Sequence, residues 1–309
     1  MERKFDVLVI GDINPDIMMI DYSKLPEPGQ ELHVRKTQFA LGGGAAITGT
    51  GFAKMGLKTA IYSFLGNDTF GEIMLRELKK TGVNTDYITM RDDVGTGVSI
   101  ALTTDKDRSF LTYQGTNQVL DVEKIGDDVL ATANHIHLLN YSADKHDVYV
   151  KFLKRLKALG KTVSFDIGYD ASEEWSDSIR DIVELVDVFA PNDVEARKYT
   201  RTETIEDAMK VFADWGNTVV IKNGSKGSIA WQNRVFARAK PFRVHCVDTT
   251  GAGDSFNCGF VYGWLKGLPL EECLTYGNAV GAKCVEAYGG TPGVPTIDVI
   301  EEMVNNREK

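Results

Sequence analysis

Six short segments of the chain are apolar without interruption. Such runs are typical of strands that are covered on both faces, because a strand with one wet face alternates apolar and polar residues. We therefore expect a parallel sheet between layers of helices. The six predicted strands cover residues 5–10, 59–64, 135–139, 162–165, 186–189 and 218–221.

Between these runs, apolar residues recur every three or four positions, which is the spacing of one helix face. Val148, Phe152, Leu156 and Leu159 are an example. Strands that alternate with helices predict a doubly wound α/β core with a mostly parallel central sheet and right-handed crossovers. The predicted helices cover residues 70–80, 148–159, 205–215 and 270–285.

Two stretches, residues 31–39 and 96–113, instead alternate polar and apolar residues. In the second stretch, residues 99–103 and 109–113 flank the polar residues 104–107, which predicts a hairpin with one wet face. We expect both stretches to pair as a small antiparallel sheet over the edge of the core. Such a sheet can be a lid over a site or a plain extension of the main sheet.

Composition excludes several classes of protein. The 309 residues are 43% apolar with 8 Pro, so a large core can form and disordered or collagen-like classes are excluded. A net charge of −9 without a basic run predicts no nucleic-acid or anionic-membrane partner. No stretch approaches the ~20 apolar residues of a membrane span. The 4 cysteines lack C-x-x-C spacing, which predicts a reduced, cytoplasmic protein.

The sharpest local signal is the sequence VDTTGAGDSF at residues 247–256, which a helical pattern follows. A glycine-rich turn that opens a helix directs unpaired N–H groups and the positive end of the helix dipole at one point, where phosphate binds. Asp254 lies in this turn. Its carboxylate either caps the helix or acts as a general base beside the anion site, and local sequence leaves both interpretations open.

The chain resembles the ribokinase-like carbohydrate kinases, also called the PfkB family. Four motifs carry the resemblance in the family's order: GDINPD at 11–16, GGGAA at 42–46, NDVE at 192–195 and DTTGAGDSFNCGF at 248–260. The resemblance implies an α/β ribokinase-like three-layer sandwich. Residues 1–309 would form a single kinase domain, with a small β lid inserted from about 13–41 and 93–115.

The resemblance also implies transfer of the γ-phosphoryl group of ATP to a hydroxyl of a small carbohydrate. Asp254 would be the base, and the amides of Gly251, Ala252 and Gly253 would form the anion hole. Residues 222–227 lack the spacing of a Walker A motif, so phosphates must be held by the Gly251 turn and by magnesium. The residues that would border the nucleotide are Lys222, Gly224, Gly227 and Asn278.

Two residue pairs are candidate metal ligands by the same resemblance. Asn192 and Glu195 would hold Mg²⁺ through water, although their spacing also fits a capping box. Asp248 and Thr250 would help enclose a monovalent cation, for which K⁺ is the candidate, although a simple turn fits equally well. His135 and His137 occupy alternate positions of one predicted strand, which is a spacing that metal ligands can have. We favour packing in the core over metal binding for both residues.

The acceptor would bind near the first two motifs, at Asn14, Asp16, Gly42, Gly43 and Ile47. Asp16 matches the family's sugar-binding carboxylate, whereas Ile47 replaces an Asn that many members have, which leaves the acceptor open. Residues 166–170 lack the Asn-x-Arg pattern of many fructose and ketodeoxygluconate kinases, which counts against those two substrates.

The sequence therefore predicts a sugar kinase whose partners are ATP and a small sugar or polyol. A nucleoside kinase of the same family and a sugar-binding regulator without catalysis are the alternatives. The resemblance also suggests a homodimer formed through the lid.

Overall fold

The computed structural model describes residues 4–20, 26–103, 108–170 and 172–307, and the strands in these ranges form two sheets. The strands are β1 (Phe5–Ile10), β2 (Asn14–Ile20), β3 (Lys36–Gly42), β4 (Thr59–Gly66), β5 (Asn84–Arg91), β6 (Val98–Thr103), β7 (Arg108–Tyr113), β8 (Ala133–Leu139), β9 (Thr162–Asp166), β10 (Val188–Phe189), β11 (Thr218–Lys222), β12 (Ser228–Gln232) and β13 (Val235–Ala239). The α-helices are α1 (Gly44–Lys54), α2 (Thr69–Lys79), α3 (Asp127–Leu130), α4 (His146–Ala158), α5 (Ile179–Leu185), α6 (Asp193–Thr200), α7 (Ile205–Ala213), α8 (Ala252–Leu265), α9 (Leu270–Cys284) and α10 (Ile297–Arg307).

The large sheet has the strand order β13-β12-β11-β10-β9-β8-β1-β4-β5. Neighbouring strands run parallel from β11 to β5, and β12 and β13 are antiparallel additions at one edge. All six predicted buried strands lie in the parallel part, which confirms the expected α/β class. The strand predicted at 186–189 is shorter than expected, because only Val188–Phe189 pair with the neighbouring strands.

Both faces of the parallel strands are covered, as β1 shows. Val7 and Val9 belong to the core cluster on the side of α1, α8 and α9, whereas Leu8 and Ile10 belong to the cluster on the side of α4, α5 and α7. All four residues have exposures of 1% or less. This two-sided burial is the reason that the strands are continuous apolar runs.

The four predicted helices are confirmed as α2, α4, α7 and α9, with ends within two residues of the expected positions. Capping sets two of these ends. The Asp68 carboxylate accepts a hydrogen bond from the Gly71 amide at the start of α2, and the Thr204 hydroxyl accepts one from the Asp207 amide at the start of α7.

The small sheet has the order β3-β2-β6-β7. Its β6–β7 hairpin is confirmed, although the predicted turn at 104–107 lies outside the described residues. The expectation of a wholly antiparallel sheet was wrong, because β2 lies between the two predicted stretches and pairs in parallel with β6. The sequence analysis missed β2, since Asn-Pro-Asp at its start is typical of a turn.

The prediction of a strand over residues 31–39 was also wrong at its beginning. Residues 31–35 have no strand structure, and β3 covers Lys36–Gly42 instead. The pairing explains this shift, since Lys36 lies opposite Ile20, the last residue of β2. The small sheet has its own buried cluster, Met18, Ile20, Ala40 and Ala101, against which Tyr288 packs. Within the described ranges, no helix has the length and apolar character to cross a membrane.

Candidate active site

An open cavity of about 1110 Å³ lies at the carboxyl ends of the parallel strands. Residues that follow five neighbouring strands line it: Asp12 after β1, Asn140 after β8, Gly168 after β9, Asn192 after β10 and Asn223 after β11. The first turn of α8 lines it as well. Ligands of open α/β sheets collect at this edge, so the cavity is the candidate active site.

The glycine turn before α8 has the geometry of an anion site. Gly251 has φ 71°, and a Cβ on it would lie 2.7 Å from the Cα of Gly290, so a larger residue would be strained and would clash. No side chain caps α8, and Ala252, Gly253 and Asp254 line the cavity. No side chain therefore occupies the N–H groups at the start of α8, although the Ala252 amide donates to the Thr249 carbonyl at 3.3 Å, and Asp254 does not cap the helix.

Asp254 has a strongly perturbed acidity. Burial raises the pKa of its carboxyl to about 8, the negative charge of Asp166 adds to the rise, and the charge of Lys222 opposes it. Smaller contributions from Asp12 and Asp16 raise the pKa further. A buried carboxyl with a pKa near neutrality can accept a proton during a reaction.

Lys222 is the cation at the centre of the site. Its Nζ lies 2.6 Å from Asp166 Oδ2, and Asn257 also donates a hydrogen bond to that oxygen. Nζ is also 3.5 Å from the position that a Cβ on Gly253 would take. Burial lowers the pKa of Lys222, but the charges of Asp166 and Glu195 outweigh this effect and raise it. The charged ammonium group therefore lies beside the candidate anion hole.

The remaining residues predicted at the nucleotide lie along the same cavity. Lys222, Gly224, Gly227 and Asn278 all line it. Asn278 Nδ2 donates to the backbone oxygens of Ala239, at 3.2 Å, and Lys240, at 3.1 Å. Asn278 therefore ties α9 to the segment that follows β13.

On the acceptor side, Asn14 and Asp16 are adjacent on one face of β2. Asn14 Nδ2 donates to Asp16 Oδ1 at 3.1 Å, and both residues are buried. A Cβ on Gly42, which lies across the sheet from Asn14, would be 2.2 Å from Asp16 Oδ2. Gly43 has φ 87° and directly precedes α1. The two glycines therefore leave room for the Asp16 carboxylate and for the start of the helix.

Ile47 has a different environment from these residues. It is 3% exposed, and its Cδ1 lies 2.3 Å and 3.0 Å from the positions that Cβ atoms on Gly290 and Gly251 would take. Its contacts are therefore with the two glycine turns. Like Asn14, Asp16, Gly42 and Gly43, it is not among the described residues that line the cavity.

Asn192 and Glu195 form the capping box that the sequence analysis left open. Asn192 Oδ1 accepts from the amides of Val194 and Glu195, both at 2.9 Å, and the Glu195 carboxylate accepts from the Asn192 amide at 2.8 Å. Asn192 Nδ2 donates to the other Glu195 oxygen at 2.6 Å. Burial raises the pKa of Glu195 to about 7, and Asp166 adds to the rise. Each Glu195 oxygen accepts one hydrogen bond and keeps further acceptor capacity, so the capping box does not exclude a metal held through water molecules.

The Asp248 carboxylate joins two turns. Its Oδ1 accepts from the Thr250 amide and hydroxyl, at 2.9 and 2.8 Å, and its Oδ2 accepts from the Gly289 amide at 2.8 Å. The carbonyl oxygens of Thr250 and Gly290 both lie near Cys284 Sγ, at 3.5 and 3.3 Å. The monovalent-cation site at Asp248 and Thr250 stays a prediction.

The two strand histidines lie in the core under α8. His135 contacts Thr162 and Ser164, and His137 contacts Ser164, through side-chain hydrogen bonds of 2.6–2.9 Å. Burial lowers the pKa of His135 to about 3 and that of His137 to about 4, so both rings are neutral near pH 7. This environment agrees with the packing interpretation.

Four residues of the site were missed in the sequence analysis: Asp12, Asn140, Asp166 and Asn257. Three of them follow or end a parallel strand, and Asn257 lies one helical turn after Asp254. The strand ends could have indicated Asp12, Asn140 and Asp166, since polar residues at that edge collect around a ligand. The contact between Asn257 and Asp166 depends on the packing of α8 against β9, for which the sequence holds no signal.

Comparison with known proteins identifies the family. A family model described as pfkB family carbohydrate kinase matches residues 4–297. The chain belongs to the pfkB family of carbohydrate kinases. Membership confirms the resemblance carried by the four motifs, and a pfkB carbohydrate kinase is a phosphotransferase with an alcohol group as acceptor.

Relatives of this pfkB kinase include sugar kinases from several organisms. The chain is 31% identical to an uncharacterized sugar kinase of Archaeoglobus fulgidus, over 79% of this chain and 98% of the relative. It is 28% identical to 5-dehydro-2-deoxygluconokinase of Clostridium perfringens, over 100% of this chain and 95% of the relative. The structure of Arabidopsis thaliana ribokinase with ribose and ATP has a TM-score of 0.84 and 25% identity, covering 98% of this chain and 99% of that one. An Escherichia coli protein described as ribokinase II, in complex with ATP and Mg²⁺, has a TM-score of 0.84 and 26% identity, covering 97% and 99%. These neighbours confirm the ribokinase-like fold.

Proposed function

We propose that this pfkB kinase phosphorylates a hydroxyl of a small sugar or polyol and that Asp254 is the general base. The observation that carries the proposal is the position of Asp254. It lies in the uncapped first turn of α8, Lys222 Nζ lies beside the neighbouring Gly253, and Asp12 Oδ1 and Asp254 Oδ1 both lie beside Gly44. A proton acceptor thus lies next to the candidate phosphate-binding turn and near a second carboxylate.

The chemistry follows from this arrangement. Asp254 accepts the proton of the acceptor hydroxyl while that oxygen forms a bond to the γ-phosphorus of ATP. The bond between the γ-phosphorus and the bridging oxygen breaks, and its electrons remain on ADP. The amides of Gly251, Ala252 and Gly253 stabilise the charge on the transferring group, and Lys222 neutralises part of it.

We further propose that ATP lies along the wall formed by Lys222, Gly224, Gly227 and Asn278, because these residues line the cavity on the Lys222 side of the anion site. Asn192 and Glu195 would hold Mg²⁺ through water, and Mg²⁺ would neutralise phosphate charge when bound. Burial and Asp166 raise the pKa of Glu195, and a bound dication would oppose this rise by favouring the charged carboxylate.

For the acceptor we propose the pocket around Asn14, Asp16, Gly42 and Gly43. The buried Asp16 carboxylate can accept hydrogen bonds from two neighbouring hydroxyls. Ile47 would shape the pocket indirectly, through its packing against the Gly251 turn.

We also propose a monovalent-cation site for K⁺ at Asp248 and Thr250, supported by the nearby carbonyl oxygens of Thr250 and Gly290. Replacement of K⁺ by a bulky organic cation in the assay should then lower kcat. An unchanged kcat would contradict this site.

A cytoplasmic location, which the sequence predicts, agrees with the four cysteines being free thiols.

The small sheet would serve as a lid and as the interface of a homodimer. Register places Phe39, Ile17, Ile100 and Leu111 in one row across its four strands, and Phe39 and Leu111 are 43% and 59% exposed. An exposed apolar row of this kind is typical of an interaction surface. Sedimentation of the parent should give a dimer and Leu111→Lys a monomer, and a monomeric parent would contradict the interface.

The reaction itself is tested by product analysis. Purified protein with ATP and Mg²⁺ is incubated with sugars, polyols and nucleosides, and phosphorus NMR identifies any new phosphate ester. A phosphate ester of a sugar or polyol is the expected product. If only nucleosides were phosphorylated, the protein would be a nucleoside kinase and the proposed sugar kinase activity would be wrong.

A further inference from the structure

Asp68 and Thr96 connect the small sheet to the core just before the β6–β7 hairpin. The Thr96 amide donates to Asp68 Oδ2 at 2.8 Å, and the Thr96 hydroxyl donates to Asp68 Oδ1 at 2.8 Å. Thr96 is only 2% exposed. Because both carboxylate oxygens bond to one residue, the contact fixes the orientation of Thr96 as well as its position.

The same two side chains are anchored in the core. Gly66, the last residue of β4, donates its amide to the Thr96 hydroxyl oxygen at 2.9 Å. Asp68 Oδ1 also accepts from the Gly71 amide at 2.8 Å, which caps α2. We call Asp68 and Thr96 the sheet junction, because they join the end of a core strand and the start of a core helix to the segment before β6.

The backbone around the sheet junction is tightly packed. A Cβ on Gly66 would lie 2.4 Å from the Thr96 nitrogen, and a Cβ on Gly97 would lie 2.7 Å from the Gln114 carbonyl oxygen. The Gly97 amide donates to the buried Thr116 hydroxyl at 3.3 Å, which joins the segments before β6 and after β7. Both ends of the hairpin are therefore held at the same place.

The Asp68 carboxylate is charged near neutral pH. Burial raises its pKa, but hydrogen bonds from Gly71, Thr96 and Phe70 together outweigh burial and lower it. A negative charge at the start of a helix is favourable, and hydrogen bonds to a charged acceptor are stronger than those to a neutral one. The sheet junction is therefore built from strong contacts.

The sheet junction acts on the strand that carries the proposed acceptor carboxylate. Asp16 of β2 lies opposite Ser99 of β6, and Ser99 is three residues after Thr96. The helix that Asp68 caps, α2, packs against β2 as well. Since β2 begins two residues after Asp12, which lines the cavity, a shift of the small sheet would move Asp16 relative to the site.

We propose that Asp68 and Thr96 are positioning residues for phosphoryl transfer, which fix the small sheet so that Asp16 meets the acceptor and water is kept from the γ-phosphorus of ATP. The proposal rests on the proposed function, because it concerns the acceptor of that reaction. When the sheet junction is lost, a water oxygen forms the bond to the γ-phosphorus in place of the acceptor oxygen. The bond to the bridging oxygen breaks with its electrons on ADP, inorganic phosphate forms, and the water proton passes to solvent.

Thr96→Val tests the sheet junction, because it removes the hydroxyl and keeps the shape of the side chain. We expect the ratio of phosphate ester to inorganic phosphate formed from ATP to fall on the order of tenfold, as for a lost charged hydrogen bond. The acceptor KM should rise by a similar factor, with the KM for ATP unchanged. Thr96→Ser keeps the hydroxyl and should restore the ratio of the parent.

Thr204→Val is the matched control. The Thr204 hydroxyl also donates to a carboxylate, Asp207 Oδ2 at 2.8 Å, and accepts from the amide at a helix start, that of Asp207 at 3.1 Å. However, its helix α7 packs against β11 and β12, far along the large sheet from β4. Its melting temperature should fall, with the product ratio and the acceptor KM of the parent. The same behaviour in Thr96→Val would overturn the proposal.

Hydrogen–deuterium exchange tests the sheet junction without turnover. The amides of β6 and β7 should exchange faster in Thr96→Val than in the parent and in Thr204→Val, whereas those of the core strand β8 should be unchanged. Equal exchange of β6 and β7 in all three proteins would overturn the proposal. A parent that forms no phosphate ester would instead refute the proposed function, and the exchange rates would still decide whether Asp68 and Thr96 hold the small sheet.

Discussion

Lys222 Nζ lies 2.6 Å from Asp166 Oδ2 at the floor of the cavity, and the two side chains are only 10% and 11% exposed. Burial is the largest single effect and would raise the pKa of Asp166, but the Lys222 charge together with hydrogen bonds from Lys222 and Asn257 lowers it. The pair is therefore charged and largely removed from water. Breaking it leaves one charge buried without its partner.

Asp166→Asn should lower the free energy of unfolding by about 3–5 kcal/mol, because Lys222 loses its counter-charge. Lys222→Met should also destabilise the protein, since Asp166 is then the unpaired charge. The double variant should recover much of the stability of the parent while it remains inactive. Urea unfolding of the parent, the two single variants and the double variant measures this cycle. If the stability loss of the double variant equalled the sum of the two single losses, the two charges would not interact.

The parallel sheet could be predicted from sequence because its strands are buried on both faces. Val7, Leu8, Val9 and Ile10 point alternately into two cores, and an unbroken apolar run is the result. The strand β2 could not be predicted in the same way. It pairs with segments that are distant in sequence, β3 and β6, and its Asn14-Pro15-Asp16 start has the composition of a turn.

The candidate site could be predicted where a local motif carries the chemistry. The turn around Gly251 and the base Asp254 are adjacent in sequence, so their spacing was visible. Asp12 and Asn140 are 128 residues apart and meet only because β1 and β8 are neighbours in the sheet. Local spacing also could not decide between the capping box and the metal role of Asn192 and Glu195, because both use the same two residues.

Gly42→Ala should weaken acceptor binding. The new Cβ would lie 2.2 Å from Asp16 Oδ2, so the carboxylate must rotate away from the position where it meets Asn14. We expect the acceptor KM to rise on the order of tenfold or more, as for a lost charged hydrogen bond, with the KM for ATP unchanged. Gly95→Ala is the control, because its Cβ would make an ordinary contact of 3.4 Å with Asp68. Equal acceptor KM values for both variants would contradict the role of Asp16.

Glu195→Gln separates the metal role from the capping box. If Glu195 holds the water shell of Mg²⁺, loss of its charge should raise the Mg²⁺ concentration for half-maximal rate several-fold, on the order of one charged hydrogen bond. A titration of initial rate against Mg²⁺ measures this value. A lower melting temperature with an unchanged Mg²⁺ requirement would instead assign Glu195 to the capping box alone.

The pH dependence of kcat/KM should follow the ionisation of Asp254. Its carboxyl has a pKa of about 8, so below that pH it is protonated and cannot accept a proton from the acceptor. We expect kcat/KM to rise with pH, about tenfold per unit, and to level off near pH 8. Asp12→Asn removes a neighbouring negative charge that raises the pKa of Asp254, so the rise of kcat/KM should occur at lower pH. A flat profile between pH 5 and 8 would contradict the assignment.

Replacement of Asp254 by Asn tests the central claim most directly, because the amide keeps the shape of the side chain but cannot accept the proton. The measurement is single-turnover phosphoryl transfer from ATP to the acceptor identified by product analysis, with the melting temperature as a check on folding. We predict a rate ~10²–10⁴-fold below that of the parent, with a folded protein that still binds ATP. A variant that transfers the phosphoryl group at the rate of the parent would contradict the role of Asp254 as the general base.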